Sequence, residues 1–264
     1  GSELPGLIVN VTRGGPGLGT IQPSQSDYFQ ATKGGGHGDY RLLVLAPASV
    51  QETYDFVKLA FDLAFKYRNP AMILTDGVIG QMMEKVELSE QLPRATREEI
   101  IKNYPWTTTG KTSNRQRNII TSLYLDSDVM EKHVLELGEK YKRMEENEVR
   151  FEKIDCDDAE YILVAFGSSA RICQKTVELG RAKGIKVGLL RPITLFPFPK
   201  KPLAELAGKV KGMLSVEMNL GQMVEDVRLA VNGKVKVEHY GRTGGIIPTP
   251  DGVLYALEQK LIGG

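Results

Sequence analysis

Short apolar runs alternate with stretches of helical period along most of this chain, and no other feature narrows its possible folds as far. Residues 7–11, 42–46, 71–75 and 161–166 are bounded apolar runs, the pattern of parallel strands covered on both faces. Between the second and third lies the clearest helix. Ser49 and Glu52 have capping-box spacing, Tyr54, Val57, Phe61, Ala64 and Phe65 form a stripe to bury, and Asn69-Pro70 ends the segment. Strand, helix, strand is the right-handed crossover unit of an α/β sheet. From Asp157 the alternation resumes, with strands expected at 161–166, 185–190, 213–216 and 235–239 and helices at 169–182, 202–206, 221–231 and 251–261.

Between these halves the period is lost over 86–125, a stretch read as a linker. Met130, Val134, Leu137, Tyr141, Met144 and Phe151 then recur at helical spacing, with Glu148 breaking the series. That helix either lies on its own domain or meets a partner. With 264 residues the chain has room for two domains.

Charge and cysteine content exclude several classes of function. The 34 basic and 33 acidic residues leave a formal charge of +1 with no dense basic run, so a nucleic-acid partner is not expected. Two cysteines, Cys156 and Cys173, make neither a disulfide framework nor a metal or cluster ligand set. The sequence shows no membrane-length apolar stretch and no signal peptide, so a reducing cytoplasmic setting is the default expectation. Gly1 stands where an initiator Met is usual and a strand follows closely, which has two readings: an N-terminal part is missing, or Gly1-Ser2 is a cloning scar.

The segment 13–41, RGGPGLGTIQPSQSDYFQATKGGGHGDYR, follows the first apolar run directly. Ligands of open α/β sheets bind beyond the carboxyl ends of strands, where glycines let backbone approach closely. Arg13 and Asp76 both occupy such places. Gly14 and Gly19 have the outer spacing of a phosphate loop, but Thr20 stands where its lysine must be; Gln22 likewise breaks a dinucleotide fingerprint at Gly17-Leu18-Gly19. The residues alone therefore indicate an anion-friendly loop.

The string VNVTRGGPGLGTIQPSQSDYFQATKGGGHGDYRLLVLAPASVQE, followed by KYRNPAMILTDGVIGQMME, resembles the α subunits of 2-oxoacid:ferredoxin oxidoreductases, particularly the branched-chain (2-oxoisovalerate) type. The related 2-oxoglutarate subunits usually carry a serine-threonine loop where this chain has Gly-Leu-Gly. LLRPITLFPFP and VEMNLGQM are similar to the transketolase C-terminal-type domain of these subunits. The resemblance implies an α/β fold: residues 1–85 as the later part of a pyrimidine-type thiamine-binding domain, 86–156 as a connector with a long amphipathic helix, and 157–264 as a transketolase C-terminal-like domain. It implies oxidative decarboxylation of a 2-oxoacid to an acyl-CoA, with electrons passed to ferredoxin. Thiamine diphosphate would be shared with a β subunit, and magnesium and the iron–sulfur cluster would lie on that and ferredoxin-like partner subunits. The family's activating glutamate would fall upstream of Gly1, leaving the isolated chain inactive.

By the same resemblance Arg13 matches an arginine that pairs with the substrate carboxylate, a role suited to a guanidinium fork; capping a strand end or pairing with Asp27 is the alternative. Gly14, Gly15, Gly17 and Gly19 would let the loop fold over the cofactor, or form a plain turn series. Ser24, Gln25 and Asp27 are candidates for substrate contacts or for local loop bonding. His37, between two glycines, is a candidate proton donor or a solvent-facing loop residue. Glu217 and Asn219, at a strand end, have a catalytic and a capping reading, and Ser168 and Ser169 an anion-binding and a capping one. Two other functions remain open: a stand-alone module binding a phosphorylated ligand, and a scaffolding subunit without chemistry.

Overall fold

Two sheets form where the apolar runs predict them, and the chain passes between them more than once. The computed structural model describes residues 1–90, 93–111, 113 and 115–263. In the first sheet β1 (Gly6–Thr12), β3 (Pro70–Asp76) and β2 (Leu43–Leu45) are parallel, in the order β1-β3-β2. Register pairs Gly6 with Pro70 and Thr12 with Asp76, so both strands end together at their carboxyl ends.

The second sheet has the order β4-β6-β5-β8-β9: antiparallel β4 (Phe151–Ile154), then parallel β6 (Val187–Pro192), β5 (Tyr161–Val164), β8 (Gly212–Glu217) and β9 (Lys236–Gly241). Immediately after β6 the chain crosses back, and β7 (Thr194–Phe196) pairs antiparallel with β2 in the first sheet.

Helix α2 (Val50–Tyr67) starts where the cap signal placed it: Ser49 accepts the Glu52 N–H at 3.0 Å, while the Glu52 carboxylate reaches back to the Ala48 N–H. Its buried stripe is Phe56, Ala60, Leu63, Ala64 and Tyr67, rotated from the expected one, and Val57 and Phe61 face outward. The helix is apolar around more than one stripe, and the sheet selects the side that fits it. Strand β1 also departs from expectation. It is an edge strand, and Ile8, Val9 and Val11 are 43–54% exposed instead of covered on both faces.

The expected linker contains α4 (Arg97–Asn103), started by a complete Thr96–Glu99 capping box; its residues 91–92, 112 and 114 lie outside the described ones. Helix α5 (Ser127–Asn147) buries His133, Leu137, Lys140 and Met144, and Phe151 has already left it for β4. Four further short elements were not expected: α1 (Tyr28–Thr32) inside the glycine-rich segment, α3 (Gly77–Gln81), β4 and β7.

The second sheet is covered by helices on both faces. Helices α6 (Gly167–Ala182) and α9 (Pro250–Leu257) pack with Leu163, Leu189 and Leu214 on one face. On the other, α7 (Lys200–Ala207) and α8 (Met223–Val231) join Ile162, Val164 and Met213 in a core continuous with Leu43, Leu45 and Ile73 of the first sheet.

Candidate functional site

The carboxyl ends of β1, β3, β8 and β9 converge, and a cleft of about 290 Å³ opens there, lined by Gly15, Pro16, Ser26, Asp27, Asn219 and Leu220 among others. One wall is the loop that follows β1. Its shape is fixed by Gly14 N–H donating to Gln22 O, Thr20 N–H donating to Gly14 O (2.8 Å each), and a bridge between Arg13 and Pro23. Arg13 sits at its base and stitches it from within: Nη1 donates to the carbonyls of Leu18 (2.7 Å), Gly14 (3.2 Å) and Thr20 (3.4 Å), and Nη2 to that of Gly17 (3.3 Å). The guanidinium is solvent-facing, and its Nε–H and second Nη2 N–H carry no partner among the described residues. No ion pair joins Arg13 to Asp27, whose carboxylate accepts from Asn10 Nδ2 at 3.0 Å.

The glycines divide by what surrounds them. A side chain at Gly19 would meet Gly14 O at 2.0 Å, and one at Gly14 would meet the Thr20 methyl at 2.5 Å, so these two serve the loop's own folding. Gly17 opens into free space and a side chain at Gly15 would meet only Gly17 N, at 3.9 Å, so the loop's outer face is bare.

Ser24 and Gln25 are buried beneath the cleft and join the two halves of the molecule. Gln25 Nε2 donates to Phe166 O (2.9 Å), its Oε1 accepts from Ser169 Oγ (2.8 Å) and Met218 N (3.2 Å), and its backbone bonds with Met218 O and Asn219 Nδ2. Ser24 Oγ donates to Met218 O at 3.1 Å. Asp76, 1% exposed, joins two helix N-termini: Oδ1 accepts from Val78 N and Ile79 N of α3, and Oδ2 from Ser168 N and Oγ at the start of α6. Carboxylates are stabilised at helix N-termini by the unpaired N–H groups there.

Glu217, fully buried, plays the same part for α8, accepting from Met223 N (2.7 Å), Val224 N (2.9 Å) and Gln222 N (3.2 Å). Asn219 Oδ1 holds Gly221 N and Gln222 N, which fixes the cleft floor. His239 lies 3.9 Å from Glu217, and burial lowers its pKa.

The structure does not bring His37 to this cleft. It lines a different one with Tyr40, Arg41 and Pro70, at the amino ends of the strands, about 20 Å away along a seven-residue strand. Sequence reasoning missed Tyr28, Gln222 and Asp226. Tyr28 donates to Asp226 at 2.5 Å, Lys33 pairs with the same carboxylate, and Gln222 Nε2 donates to Ser26 O at 2.7 Å. Burial, with the Asp226 charge beside it, pushes the Tyr28 phenol well above its ordinary pKa. Only the polar residues of the VEMNLGQM string hinted at this docking.

Thr12 and Thr75, buried at the carboxyl ends of β1 and β3, have hydroxyls without a hydrogen-bond partner. Buried polar groups ordinarily find one. The β1–β3 register puts Thr75 on the face of Val11 and Thr12 on that of Asp76, so the two hydroxyls lie on opposite faces of the sheet; the surface the cleft offers a flat ring is the bare backbone of the loop at Gly15 and Gly17. No group of three or more His, Cys, Asp or Glu side chains among the described residues could hold a metal ion, and no helix among them is long and apolar enough to cross a membrane.

An α/β pair with its cleft at the strands' carboxyl ends is the architecture of a ligand-binding subunit. Residues 1–153 match the family model "Pyruvate flavodoxin/ferredoxin oxidoreductase, thiamine diP-bdg", and residues 159–253 match "Pyruvate:ferredoxin oxidoreductase core domain II". The chain is 51% identical over 247 residues to the ketoisovalerate oxidoreductase subunit VorB of Methanothermobacter thermautotrophicus, covering 93% of this chain and 68% of that one. It is 33% identical over 280 residues to the 2-oxoglutarate synthase subunit KorA of Methanothermobacter marburgensis, covering 96% and 73%. The fold matches a 2-oxoglutarate:ferredoxin oxidoreductase from Magnetococcus marinus with a TM-score of 0.78 at 22% identity, over 98% of this chain and 49% of that one. The chain belongs to the 2-oxoacid:ferredoxin oxidoreductase family, as a subunit of a multi-subunit oxidoreductase, and its first 153 residues match the family's thiamine-diphosphate-binding region.

Proposed function

We propose that this chain is the subunit that receives a branched-chain 2-oxoacid, 2-oxoisovalerate, for oxidative decarboxylation to its acyl-CoA. A β subunit would share the thiamine diphosphate, and ferredoxin-like subunits would take the electrons. The observation that carries the substrate branch is the gap in similarity: 51% and 49% identity to two ketoisovalerate oxidoreductase subunits against 33% to 2-oxoglutarate synthase subunits.

Thiamine diphosphate, when bound, supplies the carbon nucleophile and the electron sink for loss of CO₂. The chain's own part is to bind, orient and exclude water. Arg13 keeps Nε–H and one Nη2 N–H without a partner among the described residues, donors that can grip a carboxylate. Its remaining N–H groups are occupied by loop carbonyls, so the fork is held in one orientation before substrate arrives. Gly15 and Gly17, whose backbone is bare, are the residues that would lie against the cofactor. Leu18 and Leu220, 93% and 88% exposed beside the cleft, are apolar surface suited to a shared interface. Gln25, Asp76 and Glu217 act as positioning residues, since they fix the loops that carry the cleft.

The test is oxoacid- and CoA-dependent reduction of a viologen dye by the full-length subunit assembled with its β partner, on 2-oxoisovalerate, pyruvate and 2-oxoglutarate. 2-Oxoisovalerate is expected to give the highest kcat/KM. Arg13→Ala should raise KM about 10- to 100-fold, the loss of a charged hydrogen-bonded pair, and Arg13→Lys should recover little of it because an ammonium lacks the fork. Higher kcat/KM on 2-oxoglutarate would overturn the branch, and an unchanged KM in Arg13→Ala would overturn the role of Arg13.

A further inference from the structure

At the other pole of the first sheet, a cleft of about 510 Å³ opens between the end of α2 and the flank of α5. Lys66, Arg68, Lys140 and Arg143 line it, and Glu3 is the only acid that does. Two of the four cations are neutralised. Lys140 Nζ lies 3.1 Å from Glu3, and Lys66 Nζ lies 2.6 Å from Glu148 behind the wall.

Among the described residues no carboxylate lies within 4 Å of the Arg68 or Arg143 guanidinium, and that of Arg143 makes no hydrogen bond; Glu139, one turn back on α5, feels the Arg143 charge only at longer range. Arg68 caps α2 in the left-handed region, φ 47°, which fixes the root of its side chain. Its guanidinium stacks over Trp106 at 4.9 Å, and its buried Nε–H has no acceptor. Lys140, with a side chain 6% exposed, is held below its ordinary pKa chiefly by burial; Glu3 opposes the shift, and the charges of Arg68 and Arg143 add to it.

We propose that this cleft is an anion site for a phosphate-bearing small molecule, gripped by Arg68 and Arg143 over the floor made by Lys140. Two guanidinium groups without a direct ion pair match the charge of a phosphate dianion better than that of a single carboxylate, and their planar forks suit its oxygens. An anion there relieves the repulsion that Arg68 and Arg143 exert on Lys140. The cleft is a strand's length from Arg13, so the ligand is not the oxoacid of the catalytic cleft. Trp106, Tyr104 and Phe65 pack together beside Arg68, with ring centroids 4.8–6.2 Å apart, and give a nucleotide base an aromatic neighbour.

Isothermal titration calorimetry on the full-length subunit in its assembled complex, at low ionic strength, tests the site with inorganic phosphate, pyrophosphate, AMP and, as the monoanion, acetate. The phosphates are expected to bind saturably, and acetate at least tenfold more weakly. Arg143→Ala, an exposed position that leaves the fold intact, and Arg68→Ala should each weaken phosphate at least tenfold. Glu3→Gln should tighten it several-fold by freeing Lys140. AMP binding tenfold tighter than phosphate, with Trp106→Leu removing the gain, identifies a nucleotide; equal binding identifies the phosphate group alone. No saturable heat with any phosphate, or unchanged affinity in the Arg68→Ala/Arg143→Ala double variant, overturns the site.

Discussion

At the scale of single residues, Gly17 and Gly19 carry the same backbone sign but different burdens. Both have positive φ, 66° and 50°, yet a methyl group at Gly17 meets nothing within 4 Å while one at Gly19 runs into Gly14 O. Gly17→Ala should therefore cost only the left-handed backbone penalty of about 1 to 2 kcal/mol, felt locally in an exposed loop. Gly19→Ala must in addition move the Gly14 carbonyl, which bonds both Arg13 Nη1 and Thr20 N–H. The bond that Gly14 O accepts from Arg13 is then disturbed, and with it the orientation of the guanidinium. Steady-state dye reduction by the assembled complex, at saturating thiamine diphosphate, is expected to show KM for the oxoacid nearly unchanged in Gly17→Ala, whose added methyl group bears on cofactor affinity instead, and raised about tenfold or more in Gly19→Ala. Equal effects of the two would show that the loop's internal bonds do not orient Arg13.

Among elements, the ends of α2 and α5 are clamped by one carboxylate. Glu148 closes α5, is 2% exposed, and accepts from Lys66 (2.6 Å) and Tyr67 (2.7 Å) of α2 while pairing with Arg150 at 3.0 Å. Burial pushes its pKa up, but the bonds from Lys66, Tyr67 and Arg150 outweigh it and hold the group below the usual carboxylate range. A depressed folded pKa gives stability that is present above the unfolded value, near 4.3, and is lost as pH falls through the folded one. Glu148→Gln should cost about 1 to 3 kcal/mol at pH 7 in urea unfolding, and the gap to wild type should close as pH falls from about 5 towards 3. A gap constant over that window would mean that the carboxylate's charge adds nothing. Glu148 also marks where the sequence stops being readable. Alone in a helical pattern it breaks the apolar stripe, and its partners in α2 are 81 and 82 residues away. Lys140 is hidden likewise, its counter-ion Glu3 being 137 residues off. Capped or bounded elements were legible, as Ser49 and Asn69-Pro70 show, and the Thr96–Glu99 box signalled α4 although the loss of period masked it. The three-residue β7 carries no local signal, because it exists only by pairing with β2. At the site, the loop and the place of Arg13 were legible from the strand-then-glycine pattern. The bonds of Arg13 to its own loop and the depth of Gln25 were not, because both depend on how the halves dock.

For the whole molecule, that docking determines how the chain unfolds. The two sheets exchange chain through β7, share one apolar core from Leu43 to Val227, and meet over the buried bonds of Gln25. Interfaces between ordinary domains are smaller and more polar, and let the parts move or melt separately. Here the first sheet's core is the shared one, and the second sheet keeps only the core under α6 and α9 when the first leaves, so one cooperative transition is expected. Trp106, the sole tryptophan, stacks against Arg68 and Phe65 beside the first sheet, whereas far-UV circular dichroism reads helices from both halves. Thermal melts followed by the two signals should coincide. Gln25→Ala leaves Phe166 O, Ser169 Oγ and Met218 N short of a buried partner, a loss of about 3 kcal/mol. At a few degrees per kcal/mol for a chain of this size, the variant should melt roughly 6 to 12 °C lower with both signals still superimposed. Separation of the tryptophan and dichroism curves in wild type would refute the shared core as the unit of stability; separation only in Gln25→Ala would make the polar knot, and not the apolar contact, the element that binds the halves into one.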